Sequence, residues 1–198
     1  MTPETRTARA QEIEQAAYAI LAQKGYAGMS MLAVAKRARC SNETLYNWYG
    51  DKLGLVRAMV TRNAEEARAL LEGTPEDDRP ALQVLTAFGP VLLKLLLGER
   101  AVALNRAAAA DPTQELGHAL ATAGRETVVP LLTALILRAM EEGGLPQSDP
   151  AKAADLYLRL LIGDLQIRRV IGRMSPLSEA DITTRAEEAL RGTAKILS

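Results

Sequence analysis

An all-α fold is predicted for this 198-residue chain: a three-helix helix-turn-helix unit followed by a helical bundle, about nine helices in all. Three observations carry that expectation. Alternating Val-Ile-Thr-Tyr runs are scarce, whereas Ala, Leu, Glu and Arg, which lose little on entering a helix, dominate. Apolar residues recur at three- and four-residue spacing in one segment after another. Gly or Pro closes most of those segments. An apolar content of 48% supplies enough material for a real core.

The first helix is expected from about Thr5 to Lys24, with a stripe of Ile13, Ala16, Ala17, Ile20 and Leu21 and Gly25 as its C-cap. The most informative stretch follows, from Ser30 to Lys52. Ser30 is placed to cap a second helix, because its hydroxyl can accept from a first-turn N–H. Met31, Val34, Ala35 and Ala38 make one apolar face of that helix. Ser41 caps a third, with Leu45 and Trp48 on one face and Asn42, Glu43, Thr44 and Asn47 on the rest. Only Arg39 and Cys40 separate the two. So short a turn makes the helices cross steeply, with small Ala35 at the contact. The polar N-terminal end of the third helix then stands out from the body, a geometry that fits a DNA major groove.

Asp51 is read as the cap of a longer helix over about 51–72, with Leu55, Met59 and Val60 inward, then an acidic loop from Gly73 to Pro80. Pro80 to Leu97 is apolar nearly all round, the signature of a buried bundle helix, and Pro90 inside it predicts a kink. A short alanine-rich helix over 100–110 stops at Asp111-Pro112. A long helix is expected over 115–142, with internal Pro130 and a Gly143-Gly144 stop. Another runs from Asp149-Pro150 to about Gly172, and Ser178 caps the last, over about 179–197. The domain boundary is placed after the third helix: 1–52 for the helix-turn-helix unit and 53–198 for the helical body.

The 24 basic and 24 acidic residues cancel, but not evenly along the chain. Residues 1–62 carry nine basic against five acidic side chains, a net of +4, which leaves −4 for the remainder. A basic head on an acidic body is a modest footprint of phosphate binding. Arg6 and Arg9 at the start of the first helix are either phosphate or minor-groove contacts, or plain solvated charges. Cys40, the only cysteine, excludes an intramolecular disulfide and points to a reducing compartment. It is read as a small filler between helices, with a redox sensor as the alternative. No signal peptide is visible, and Val91 to Leu97 is too short for a bilayer span, so a cytoplasmic protein without membrane contact is expected. His118, the only histidine, cannot build a zinc site alone, and no metal or cofactor is expected. No P-loop, dinucleotide fingerprint or nucleophile elbow can be read, which argues against an enzyme.

Ala35, the Ser41 cap, Thr44-Leu45-Tyr46, the pair Trp48-Tyr49, Gly50-Asp51-Lys52 and Leu55 resemble the DNA-binding domain of TetR-family transcriptional repressors. The resemblance is specific through about residue 62; beyond that only architecture carries over. It implies a homodimer on double-stranded operator DNA, released by a small hydrophobic or amphipathic effector, with 1–52 as the DNA-binding domain and 53–198 as the effector-binding and dimerisation domain. An α-helical carrier or enzyme with a purely structural helix-turn-helix is the alternative. The implied DNA-contact set is Ser30, Arg39, Asn42, Glu43, Thr44, Tyr46, Asn47, Tyr49 and Lys52. Amides can pair with adenine and Glu with the cytosine amino group, while Tyr46, Tyr49 and Lys52 would hold phosphates. Tyr49 has a second reading as core, beside Trp48. The family usually has Gly where this chain has Arg39; the turn is then either distorted or compensated by a phosphate contact. The resemblance puts an effector cavity in the body, where the two proline-bearing helices would leave space. Its candidate polar groups are Asn63, Arg106, His118, Thr122, Arg125 and Tyr157. The last two helices would form the dimer interface, through Leu156, Leu160, Gly163, Ile167, Ala186, Ala189 and Leu190.

Overall fold

The computed structural model describes residues 3–72 and 78–198, so most of the expected acidic loop lies outside the described residues. Among the described residues every regular element is helical: α1 (Pro3–Lys24), α2 (Met31–Ala38), α3 (Asn42–Tyr49), α4 (Lys52–Asn63), α5 (Glu65–Glu72), α6 (Ala81–Leu97), α7 (Glu99–Ala109), α8 (Glu115–Leu120), α9 (Glu126–Glu141), α10 (Pro150–Ile162), α11 (Leu165–Val170) and α12 (Glu179–Leu197), with a π-helical turn at Ala121–Arg125 between α8 and α9. The difference from nine is three breaks inside expected helices. One falls at Ala64, and one is the π-turn. The third is at Gly163, whose φ of +49° ends α10. Pro130 does not interrupt its helix; the irregular turn lies just upstream, ending at Arg125, before the Glu126 carbonyl that the proline ring crowds. α6 likewise runs on through Pro90.

The chain forms two compact units. The first comprises Met1–Arg62 with Ala103–Ala123. Its core is Ile13 and Ala17 of α1, Val34 and Ala35 of α2, Leu45 of α3, Leu55, Val56 and Met59 of α4, and Leu104 and Leu116 from the later segment. The boundary expected after residue 52 therefore falls inside this unit, because α4 supplies part of its core. α1 and α4 are tied further by Arg62 Nε donating to Glu14 Oε1 at 2.7 Å, with Glu14 only 4% exposed.

The second unit comprises Asn63–Val102 with Gly124–Ser198 and is organised on α6. Val84, Leu85, Phe88, Leu92 and Leu93 join Leu132 and Ile136 of α9, Tyr157 and Leu161 of α10, and Ile182, Ala186 and Ala189 of α12 in one apolar cluster. Both ends of α6 are gripped. Glu142 Oε2 accepts from the Ala81 N–H at 2.6 Å. Arg169, 7% exposed, donates to the Leu97 and Met174 carbonyls and to Glu99. At mid-helix Gly89 is required by close approach, since a Cβ there would lie 2.7 Å from the Tyr157 hydroxyl and 2.8 Å from Ala186 Cβ. Glu115–Glu141 is long and apolar enough, by length and composition, to cross a bilayer. Its Leu116 belongs to the first core and its Val128, Leu132 and Ile136 to the second.

Candidate nucleic-acid interface

Side-chain oxygens set where the two central helices begin. Ser30 caps α2 by accepting from the Ala33 N–H at 3.2 Å. Ser41 caps α3 by accepting from Thr44 N–H at 3.0 Å, and its Oγ also lies 2.8 Å from Thr44 Oγ1. Between them the chain leaves α2 through Arg39, which sits in the left-handed region at φ +53°, ψ +45°. The Cys40 N–H reaches back to the Ala35 carbonyl at 3.0 Å and the Arg39 N–H to Lys36 at 3.3 Å, which closes a Schellman turn. The turn is thus undistorted despite its arginine, which costs roughly 1 kcal/mol relative to Gly. Arg9 of α1, itself paired with Glu12, donates to the Arg39 carbonyl at 2.6 Å and holds the turn from the side. The sequence offers Arg9 as a phosphate or minor-groove contact or as a solvated charge; its bracing of the turn depends on a residue thirty positions away and has no local signal.

α3 ends at Gly50, where the Asp51 N–H bonds to the Tyr49 carbonyl at 2.9 Å around φ +76°, ψ −61°. This is the strained form of γ-turn, which glycine adopts without a side-chain clash. Asp51 Oδ1 then accepts from Gly54 N–H at 2.6 Å and starts α4.

Of the expected contact residues, Glu43, Tyr46 and Asn47 are exposed along α3, and Ser30 and Arg39 are exposed at the ends of α2. Thr44 is half-buried against the Ser41 cap, and Asn42 is half-buried with its Oδ1 buried and unpartnered. Tyr49 stands differently from the phosphate reading. Its hydroxyl is buried without a hydrogen-bond partner, 6.3 Å separate its ring centroid from that of Trp48, and burial, with Glu14 nearby, pushes its pKa up to about 12. It is a packing residue here, because α3 turns it toward the α1–α4 ion pair. Lys52 is also engaged within the protein: Nζ donates to the Tyr26 carbonyl at 3.1 Å and lies 4.0 Å from the centre of the Tyr26 ring. Cys40 is half-buried and carries a free thiol.

Cationic groups flank this face. Arg6 lies over the Trp48 ring, 5.4 Å from its centroid. A shallow recess beside the turn is lined by Arg9, Gln15, Arg37 and Arg39, with Glu12 as its acid. A second, bounded by Thr5, Arg9, Cys40, Ser41, Thr44 and Trp48, adjoins the start of α3. In the turn before α8, Asp111 accepts from the Leu116 and Thr113 N–H groups and from the Thr113 hydroxyl, and these bonds hold its carboxyl below the usual range.

The residues expected to line an effector cavity do not come together. Arg106, His118, Thr122 and Arg125 are exposed, and Arg125 lies 3.8 Å from Asp155. Asn63 is half-buried at the end of α4. Only Tyr157 is inside the apolar cluster. Helical periodicity alone does not say which stripe turns inward, and in 115–125 the π-turn shifts the register as well.

The proposed interface residues also divide. Ile167 is 55% exposed on α11, and neighbouring Ile171 is exposed too. Gly163 is exposed, while Leu156, Leu160 and Leu190 are half-buried. Ala186 and Ala189 are buried within the protomer, where their small side chains let α12 approach α6 and α10. They are interior positions and not a surface for a second copy.

A sequence model of bacterial regulatory proteins of the tetR family matches residues 13–59, the span of this helix-turn-helix. A model of the C-terminal domain of AefR-like transcriptional repressors matches residues 83–193, more than half of the chain. The transcriptional repressor KstR of Mycolicibacterium smegmatis is 27% identical over 197 residues, covering 95% of this chain and 88% of that protein. A regulator from Mesorhizobium loti, described as TetR-family, superposes with a TM-score of 0.74 at 24% identity over 99% of this chain and 98% of its own. FadR of Bacillus subtilis, solved with stearoyl-CoA, gives 0.68 at 14% identity over 93% and 97% and shares the fold.

Proposed function

Because this chain belongs to the TetR family of bacterial transcriptional regulators, we propose that it acts as a homodimer that reads operator DNA with α3 and is released by an apolar or amphipathic organic effector. It is a DNA-binding transcriptional repressor. The observation that carries the operator reading is the capped and braced turn that leaves Glu43, Tyr46 and Asn47 exposed on α3. Two such helices, one per protomer, would enter successive major grooves roughly 34–36 Å apart. Asn47 and Glu43 would read base edges, while Tyr46, Ser30, Arg37 and Arg39 would take phosphates. The effector reading draws on the apolar cluster around α6 and on the stearoyl-CoA held by the Bacillus FadR. An effector shifts DNA binding only by as much as it prefers the non-binding conformer.

Fluorescence anisotropy with library-selected duplexes tests the operator reading. Binding should weaken steeply with salt, and Asn47→Ala should alter preference at one or two base pairs. No binding to any selected duplex at low salt would remove it. For the dimer, light scattering on wild type and Ile167→Asp is the direct check. Interfaces of this class bury on the order of 2,000 Å², and exposed Ile167 belongs to the α10–α12 segment that would form it. A monomeric wild type at micromolar concentration refutes the dimer.

A further inference from the structure

A helix that ends through the left-handed region usually does so on glycine, because an L side chain there crowds its own backbone. Arg39 adopts that conformation, at φ +53°, ψ +45°, between Ala38 and Cys40. The Arg39 and Cys40 N–H groups are satisfied at Lys36 and Ala35. Those bonds form equally well around a glycine, so they do not offset the strain of the arginine. The bond that a glycine turn does not need is on the Arg39 carbonyl, which accepts from Arg9 Nη2 at 2.6 Å. A charged donor on that oxygen fixes ψ and opposes a return to extended backbone. Arg9 is built to hold it. Its side chain is 28% exposed, and its other terminal nitrogen is paired with Glu12. One turn on, Ile13 is 0% exposed, so the carbonyl is tied to a helix seated in the core. The Arg9 guanidinium is thus engaged within the protein, whereas that of Arg39 is exposed. Arg39 also lies two residues before the Ser41 cap, so its φ and ψ aim the whole of α3.

We propose that Arg9 is a positioning residue for operator recognition. Its bond to the Arg39 carbonyl stands in for the missing turn glycine, and it holds α3 at the angle at which Glu43, Tyr46 and Asn47 meet the groove. Arg9 does this without touching DNA. This rests on the reading that α3 engages operator and that Arg39 takes a phosphate. The exchange gives the turn a cation where glycine would carry none, and Arg9 is the residue that makes the exchange workable. A molecule whose turn has left the left-handed region must return to it before binding. Apparent affinity therefore falls by the fraction of molecules still in place. The effect of Arg9 must then depend on residue 39: large with arginine, small with glycine, which holds the conformation unaided.

A double-mutant cycle on the full-length protein tests this dependence. Wild type, Arg9→Ala, Arg39→Gly and the double variant are titrated by anisotropy on one library-selected duplex over a range of salt. Melting temperatures are recorded, and affinities are referred to the folded fraction. Arg9→Ala should weaken binding about fivefold, the scale of one partly exposed charge-assisted hydrogen bond, with its salt slope unchanged. Added to Arg39→Gly, the same change should cost less than about twofold. Trp48 shares the wall of a recess with Arg9, Ser41 and Thr44. Its emission in the free protein should shift on Arg9→Ala when residue 39 is arginine, and not when it is glycine. Equal losses in both backgrounds overturn the proposal. So does a slope flattened by about one unit, which would make Arg9 a phosphate contact. So does a lower melting temperature with the affinity of the folded fraction intact, which would make the bond structural only. A wild type that binds no selected duplex removes the operator reading and this role with it. An Arg39→Gly slope equal to that of wild type removes the phosphate reading of Arg39 and leaves the role of Arg9 standing on the coupling.

Discussion

The helix-turn-helix unit is fixed at particular atoms, while the body is fixed by an apolar mass around one helix. In the first, Ser30, Ser41 and Asp51 each start a helix with a side-chain oxygen, and Arg9 pins the carbonyl of the turn residue. In the second, the buried side chains with polar atoms among the described residues are Arg169, Thr193 and Tyr157, and α6 is enclosed mainly by Leu, Ile, Val, Phe and Ala. A surface that must meet a fixed lattice of phosphates and base edges needs directional bonds to hold its angle. A body that, on the proposed reading, would admit an effector and shift between conformers is better served by non-directional burial, which can repack.

Single substitutions sharpen that contrast. Phe88→Ala, at the centre of the body, should cost about 3–5 kcal/mol by urea denaturation, and Leu45→Ala, under α3, about 2–5 kcal/mol. The two should part in anisotropy: the folded fraction of Phe88→Ala keeps its operator affinity, and that of Leu45→Ala does not, because Leu45 seats the reading helix itself. Ser41→Ala should cost about 1 kcal/mol, from one lost cap, with weaker operator binding as the Thr44 hydroxyl loses its partner. Arg39→Gly should have the opposite sign. Relieving the left-handed strain should stabilise the fold by about 1 kcal/mol, while the lost charge lowers DNA affinity and flattens the salt slope if Arg39 holds a phosphate.

The smallest effect is one of pH. Tyr49 has its pKa raised to about 12 in the folded protein, against about 10 when unfolded. Above the lower value the unfolded chain releases a proton that the folded chain keeps. Stability contributed by this group is therefore complete below pH 10 and is lost as pH rises toward 12. An alkaline absorbance titration should show one tyrosine ionising near pH 12, and Tyr49→Phe should remove that step. If the substitution instead removes a step at about pH 10, the hydroxyl is open to solvent and available to DNA.

What could be read in the sequence follows the same division. Caps are local, so Ser30, Ser41, Ser178 and the Asp149-Pro150 start were legible from neighbouring residues, and the structure has each at a helix N-terminus. The exposed stretch Glu43, Tyr46, Asn47 was legible because a two-residue turn dictates which face is free. Residue facing in the body was not legible. Apolar stripes on α10 and α12 mark burial, but not whether a neighbouring helix or a second copy covers them, and Ala186 and Ala189 proved internal. Tyr49 was ambiguous for the same reason, since its partners come from α1 and α4. The breaks at Ala64 and Gly163 carry no proline, and Pro130, which suggests one, is accommodated by a π-turn upstream.

The chain contains one tryptophan, Trp48, and it lies on α3 with the Arg6 guanidinium above its ring and Tyr49 beside it. Its emission therefore comes from a single site on the reading helix, with no second indole to dilute it. Docking on DNA that displaces Arg6 toward a phosphate would change the quenching of that indole without any attached dye. The protein carries its own spectroscopic reporter of operator engagement, and stopped-flow emission on the unlabelled chain could time both arrival at DNA and effector-driven departure.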